Sequence, residues 1–330
     1  KYSDLSLQTW REAAQYDLSF DERLRYAKAL SDSDAHEDAL GQLRIASSLS
    51  QDPEQQERLL RQRVETYRSS GRLGERIAQV SAETATAENR RLLALLFQAN
   101  GETASASFAI DAARKLSPDH VPILIDAANI AEQLGRLNEA VEIIESLVIR
   151  DKRFQINHLR RLVGLHEKLG ETDKALSASQ DMIDANPTAP ESYRLYARIA
   201  LGAGENLKAE IMLRRAIIVA PRNVETRVTL ASQLANKFKT GEAIELYWQA
   251  IRYENRLNAR IDLIRQLVPL YARRGEIKKL IHRLEEFDLE SADQNTTPLL
   301  IASVWTSVKD YEKARLVPKQ LLAKAPRDIG

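Results

Sequence analysis

The chain is 330 residues long, with 48 basic and 47 acidic side chains, a net charge of +1, no cysteine, 12 glycines and 10 prolines. The missing cysteine excludes a disulfide scaffold, a thiolate metal site, an iron–sulfur cluster and a cysteine nucleophile. The balanced charge excludes a nucleic-acid binder driven by bulk basicity, and the few glycines and prolines exclude collagen-like, linker-rich or turn-rich β architectures. By size alone the chain allows two or three globular domains or one elongated array. Apolar runs such as Leu92–Phe97 and Val121–Ile125 fall far short of the roughly 18 residues of a membrane helix, so membrane insertion is not expected. Compartment and oligomeric state stay open, since a cysteine-free composition fits both cytoplasm and bacterial periplasm.

Taken in chain order, residues 1–19 read as the trailing helix of a preceding unit, with Lys1–Leu5 as the turn before it. From residue 20 onward the sequence repeats itself, with units starting near 20, 57, 87, 121, 156, 190, 224, 261 and 295. The signal is plainest in "AEQLGRLNEAVEII", "HEKLGETDKALSAS" and "ALGAGENLKAEIML", where a glycine stands five residues before an alanine. Those alanines are Ala140, Ala175 and Ala209, and the same slot holds Ala39, Ala106, Ala243 and Ala314, with Arg76 and Leu280 as departures. Twelve residues earlier lies a second slot: Ala27, Val64, Ala94, Ala128, Val163, Ala197, Ala231, Val268 and Ala302. The glycine slot reads Gly71, Gly101, Gly135, Gly170, Gly204 and Gly275, with Asp34, Phe238 and Lys309 in the other copies. Closing prolines follow at Pro118, Pro187, Pro221 and Pro326. A period this regular is the mark of a stacked repeat.

One unit is two helices joined by a tight turn. The first carries apolar residues at helical spacing, as in Leu159, Leu162, Val163 and His166. Glycine ends it, because a left-handed residue at a helix end is cheapest for Gly. The second helix follows, as in Ala175, Leu176, Ala178 and Met182, until proline or asparagine stops it. Small residues are needed where the paired helices cross most closely, since a bulkier side chain overpacks the contact at about 1–3 kcal/mol. Three departures carry structural expectations. Arg76 and a following interval of only 30 residues predict a short second helix in the second copy. Pro269 is expected to kink a first helix, and Pro318 falls within the last second helix.

The Gly/Ala/Ala/Pro register resembles the tetratricopeptide repeat family over nearly the whole chain, as about nine copies after an orphan leading helix. The resemblance implies an all-α, right-handed superhelical solenoid whose first helices line a concave face. Neither end carries an obvious polar capping helix, so the chain is expected to be a fragment of a longer array or multidomain protein.

Catalytic motifs are absent. His166-Glu167 lacks the second histidine of a zinc-protease motif, and His166 fills a slot that suits a packing residue. Gly202 and Gly204 form G-x-G in a helix–helix turn rather than after a strand, the wrong setting for a dinucleotide site. No nucleophile elbow or phosphate loop occurs. Asn295-Thr296-Thr297 matches a glycosylation pattern, and such short matches arise by chance. No cofactor or metal is expected. The tryptophans read as structural: Trp305 in a packing slot, Trp248 on a second helix, and Trp10 against a helix upstream of the chain.

The resemblance also implies which residues face the groove. The fifth position of each unit reads Leu24, Arg61, Arg91, Ile125, Arg160, Arg194, Val228, Arg265 and Leu299. The ninth reads Lys28, Glu65, Leu95, Asn129, Gly164, Arg198, Ser232, Pro269 and Ser303. The partner-binding candidates are therefore Arg61, Arg91, Asn129, Arg160, Arg194, Arg198 and Arg265, and arginine suits a carboxylate or phosphate through its planar fork. Two readings stand beside each other. Glu88, Glu191 and Asp262 precede Arg91, Arg194 and Arg265 by three residues, and intrahelical pairing would leave the groove near neutral. Against that, Arg160 has no acid one turn before it, and Arg194 and Arg198 are like charges one turn apart. Some relatives grip carboxylate tails through a lysine and asparagines at fixed positions. Lys28 and Asn129 lack the neighbours that pattern requires, so this specificity is not carried over.

The function expected is a non-catalytic protein–protein interaction scaffold whose groove holds a partner peptide or helix, acidic or carboxylate-bearing. Three alternatives remain. The array could be a structural spacer or assembly arm of a larger bacterial envelope or secretion protein. It could bind single-stranded nucleic acid, which the charge balance and the lack of aromatics in the groove rows disfavour. It could be the regulatory part of an enzyme whose catalytic domain lies outside this segment.

Overall fold

The computed structural model describes residues 2–290 and 296–316, as helices joined by short turns with no strand among them. The chain divides into two compact units, Lys1–Glu171 and Thr172–Gly330. Unit 1 comprises α1 (Tyr2–Ala13), α2 (Phe20–Asp32), α3 (His36–Leu49), α4 (Pro53–Ser69), α5 (Leu73–Ala82), α6 (Ala87–Ala99), α7 (Thr103–Leu116), α8 (Val121–Gln133), α9 (Leu137–Arg150) and α10 (Gln155–Lys168). Unit 2 comprises α11 (Thr172–Ala185), α12 (Pro190–Gly202), α13 (Asn206–Val219), α14 (Val224–Asn236), α15 (Thr240–Tyr253), α16 (Leu257–Ala272), α17 (Ile277–Glu290) and α18 (Thr297–Ser307). A further helical stretch opens at residues 311–316.

The helix ends explain the repeat. At the end of α8, Gly135 takes a left-handed φ of 72°. Its N–H donates to the Glu132 carbonyl at 3.0 Å, and the Arg136 N–H donates to the Ala131 carbonyl at 2.9 Å. This pair of bonds is the Schellman closure, which satisfies two carbonyls that the helix leaves orphaned. The same pair recurs at all nine predicted slots, and these are the nine left-handed residues found among the described residues. Six are glycine; Asp34 (φ 60°), Phe238 (φ 59°) and Lys309 (φ 63°) adopt the same conformation against their steric preference. The register therefore dictates the backbone even where the residue type does not favour it.

Beyond each turn, the small-residue slots sit at the helix crossings. Ala39, Ala106, Ala140, Ala175, Ala209, Ala243 and Leu280 all have zero exposure. Arg76, the misfit, is accommodated by leaving the crossing. Its guanidinium lies 5.9 Å over the Tyr67 ring and 3.5 Å from Glu83. The helix it occupies, α5, has 10 residues, whereas α3, α7, α9, α11, α13, α15 and α17 each have 14.

Two first helices begin four residues before their expected starts at 57 and 261: α4 has 17 residues and α16 has 16. Each follows a 37-residue interval, and the surplus forms an extra N-terminal turn. For α4 the start is set by Asp52, whose side chain accepts the Gln55 N–H at 2.8 Å, with Pro53 in the first turn. Helix α16 carries through Pro269 and ends three residues later at Ala272. At the other end of the chain, α1 begins at Tyr2, so the stretch expected to be a turn is helical. Trp10 stacks on Tyr26 of α2 with ring centroids 6.1 Å apart. Asn295, Pro318 and Pro326 lie outside the described residues.

Candidate peptide-binding groove

In unit 1 the first helices pack in series, α2 on α4, α4 on α6 and α6 on α8. Along them runs a groove of about 890 Å³. Its lining includes Leu24 and Arg61 from the fifth-position row and Lys28, Glu65 and Leu95 from the ninth, whereas Arg91, Ile125, Asn129, Arg160 and Gly164 of the same rows are not part of it. Gln62, Gln98 and Gln133 add neutral amides, and Gln98 Nε2 donates to Gln133 Oε1 at 2.8 Å. Several charges in the lining are internally paired: Arg58 with Asp21 at 2.7 Å and Arg68 with Glu65 at 2.6 Å. Arg25 and Lys28 are exposed and make no salt bridge among the described residues.

Built into the wall is a ring of four charges, of which Glu57 and Arg61 also line the groove. Arg91 Nε donates to Asp126 Oδ2 at 2.6 Å, and Arg91 Nη2 donates to Glu57 Oε2 at 2.5 Å. Arg61 Nε donates to Glu57 Oε1 at 2.7 Å, and its Nη2 closes the ring on Asp126. Asp126 is 1% exposed and Arg91 7%. Two arginines and two carboxylates sum to zero, which is what allows Arg91 and Asp126 to be buried while Glu57 and Arg61 stay partly exposed. Burial pushes the Glu57 carboxyl up, but the Arg91 hydrogen bond and the charges of Arg91 and Arg61 outweigh it and hold the group below its ordinary value. Burial likewise pushes Arg61 down, and Asp126 and Glu57 more than reverse this.

The other candidates divide. Asn129 Oδ1 accepts from Arg161 Nη2 at 2.7 Å. Arg160 is exposed and makes no salt bridge among the described residues. In unit 2, Arg194 and Arg198 line a pocket of about 440 Å³. Arg194 pairs there with Glu225 of α14 rather than with Glu191 on its own helix. Arg91 likewise ignores Glu88 in favour of α4 and α8. Only Arg265 makes the intrahelical bond its sequence suggests, to Asp262 at 3.0 Å. His166 is 4% exposed and its Nδ1 lies 2.8 Å from Glu171 Oε2, which is a packing role. Among the described residues no group of three or more His, Asp or Glu side chains is arranged to hold a metal ion, and no helix is long and apolar enough to cross a membrane.

No family model matches the sequence and no curated protein matches it. Solved structures do. The C-terminal part of a TPR repeat-containing protein from Cytophaga hutchinsonii aligns over 73% of this chain and 98% of its own, with 15% identity and a TM-score of 0.50. The fold is that of the tetratricopeptide repeat. A tetratricopeptide repeat protein from Parabacteroides merdae is also similar, at 20% identity over 71% of this chain and 91% of its own, with a TM-score of 0.42. A further one, a thermophilic TPR protein of Thermus thermophilus, shows 24% identity over 54% of this chain and 96% of its own, at a TM-score of 0.33.

Within these tetratricopeptide repeats, the sequence rows missed Glu57, Asp126 and Arg25. A signal for two of them was present. Glu57, Arg91 and Asp126 are 34 and 35 residues apart, one period each, so they occupy matching levels on neighbouring first helices. Gln98 and Gln133 meet across the same interval.

Proposed function

We propose that the chain is a non-catalytic interaction scaffold that holds an extended, carboxylate-bearing segment of a partner protein in the unit 1 groove. The observation that carries this reading is a groove built from four successive first helices with Arg25 and Lys28 left without salt bridges on its lining. Exposed cations along a concave surface attract acidic segments and speed their encounter. Arg61 reaches solvent with about half of its side chain but spends its charge on Glu57 and Asp126, and Arg160 on α10 is a further exposed cation of unit 1 outside the groove lining. Arg91 is committed to the ring and acts as its framework. Asn129 spends its carbonyl on Arg161 and keeps its amide N–H donors for a peptide carbonyl. In unit 2, Arg194, Arg198 and Arg265 supply a second basic row, each already engaged within the chain.

The test is fluorescence anisotropy with a glutamate-rich extended peptide and its glutamine twin, at two salt concentrations. The glutamate peptide binds more tightly, and Arg25→Glu with Lys28→Glu weakens it about tenfold and flattens the salt dependence. Equal binding of the two peptides, or an unaltered affinity in the charge-reversed variant, refutes the reading.

A further inference from the structure

Among the second helices of the described residues, α13 exposes three large apolar side chains, where α3 and α7 expose two each and α9 one. Helix α13 buries Ala209, Met212, Leu213 and Ala216 on one side, yet leaves Leu207 69%, Ile211 42% and Ile218 76% exposed on the other. At about 100° per residue these three fall within about 40° of one another, forming a single stripe along the helix. A helix apolar on both faces belongs against something on both faces.

A second, independent feature joins the stripe. Phe238, in the turn between α14 and α15, is 85% exposed and left-handed, where six of the nine equivalent positions carry glycine. Lys237 and Lys239 reach Glu210 of α13 at 3.1 and 3.5 Å, and Lys237 also donates to the Asn206 carbonyl at 3.3 Å. These contacts pin the turn that carries Phe238 against α13. An exposed aromatic kept in a strained conformation is a candidate contact residue.

We propose that the outer face of α13, extended by Phe238, docks an amphipathic helix of a partner protein whose apolar face is bordered by carboxylates. The charges choose this occupant. Lys208 and Arg215 flank the stripe on one side, Arg214 on the other, and Arg222 stands just past its end. Glu205 takes Lys208, and Glu210 and Glu242 take Arg214. Arg215 and Arg222 are exposed and make no salt bridge among the described residues, while the only acid of α13, Glu210, is buried. A symmetric contact of α13 with its copy would set Arg215 against Arg215, like charges facing each other. An anionic bilayer would meet the exposed Asp173 and Asp181 of neighbouring α11, with Asp173 close enough to act on Lys208. A partner helix with flanking acids satisfies the two free arginines and covers the stripe.

The experiment uses the whole chain and two designed helical peptides with leucines at i, i+4, i+7 and i+11, flanked by glutamates in one and lysines in the other. Fluorescence anisotropy should show the glutamate peptide binding at least about tenfold more tightly than its twin. Leu207→Ser with Ile218→Ser, both surface changes, should weaken it at least about tenfold without shifting the thermal midpoint. Phe238→Gly should weaken binding while raising the midpoint, a split that a purely structural role cannot produce. Arg25→Glu with Lys28→Glu should leave this binding unchanged, which separates it from the groove. The proposal is overturned by equal binding of the two peptides, or by serine variants that bind normally. It is also overturned if the free protein is a dimer in sedimentation equilibrium that the serine variant dissolves, or if it co-sediments with phosphatidylserine vesicles through the same residues.

Discussion

Replacing Asp126 by asparagine removes one charge from the ring that joins α4, α6 and α8. The carboxylate is 1% exposed and takes a hydrogen bond from each of two arginines. Without it, Arg91 remains buried with Glu57 as its single anion, and its Nε loses a 2.6 Å bond. Breaking a buried ion pair from one side costs about 3–5 kcal/mol, because the other charge stays desolvated. Asparagine keeps a carbonyl acceptor, which places the cost near the lower end, about 3 kcal/mol. In a compact unit of 171 residues, this lowers the midpoint of thermal unfolding by about 6–12 °C. Differential scanning calorimetry or circular dichroism at 222 nm reads the shift. Arg61→Ala is the comparison: its side chain is 44% exposed, so water replaces part of what it supplies and its loss costs less than that of the buried Arg91, although Asp126 then keeps only one cation. The reasoning fails if Asp126→Asn moves the midpoint by less than about 2 °C, or if Arg61→Ala costs as much as Arg91→Ala.

Two further outcomes follow from the turns and from acid–base linkage. Glycine in place of Asp34 or Lys309 relieves a left-handed strain and raises stability by about 1 kcal/mol, whereas Gly135→Ala lowers it by a similar amount, all measurable by urea titration. Glu254 is 8% exposed and accepts hydrogen bonds from the Arg256 side chain and from its backbone N–H at 2.9 Å, which hold its pKa at about 2 against an ordinary 4.5. A depressed carboxyl pKa stabilises the fold above the unfolded value and loses that contribution as pH falls through the folded one. Because Arg256 is 81% exposed, solvent screening reduces the effect to about 2 kcal/mol, lost between about pH 5 and pH 2. Urea midpoints across that range should converge for Glu254→Gln and the parent protein at the acid end. Parallel curves would show that the carboxylate contributes nothing.

The repeat register was legible because turn geometry and crossing sterics act within one unit. Phe238 and Lys309 could be placed in left-handed turns by counting alone, although their chemistry argues the other way. Helix starts at Pro53 and Leu257 were less legible. Asp52-Pro53 is a cap-and-first-turn signal that a fixed period overlooks, and Arg256 makes no side-chain cap. The groove was legible in part as a surface, since Leu24, Lys28, Arg61 and Leu95 do line it whereas Arg91, Asn129 and Arg160 do not. Its charge was not, because i,i+3 spacing describes one helix, while Arg91 and Arg194 choose acids on neighbouring helices. Pairing across a packed array is governed by the repeat period, and side-chain reach decides between the two.

Arrays of this type are usually described by nearest-neighbour terms, in which each repeat senses only the next. The bond from Arg61 on α4 to Asp126 on α8 spans 65 residues and passes over the repeat that contains α6. Opening α6 therefore takes Arg91 out of the ring and leaves two carboxylates facing Arg61 alone across the repeats on either side of it. Fraying that enters from the α1 end meets a three-repeat block that must melt together. The slowest amide hydrogen exchange in unit 1 should accordingly sit in α6, the helix enclosed by the ring rather than the one with the greatest intrinsic helix propensity.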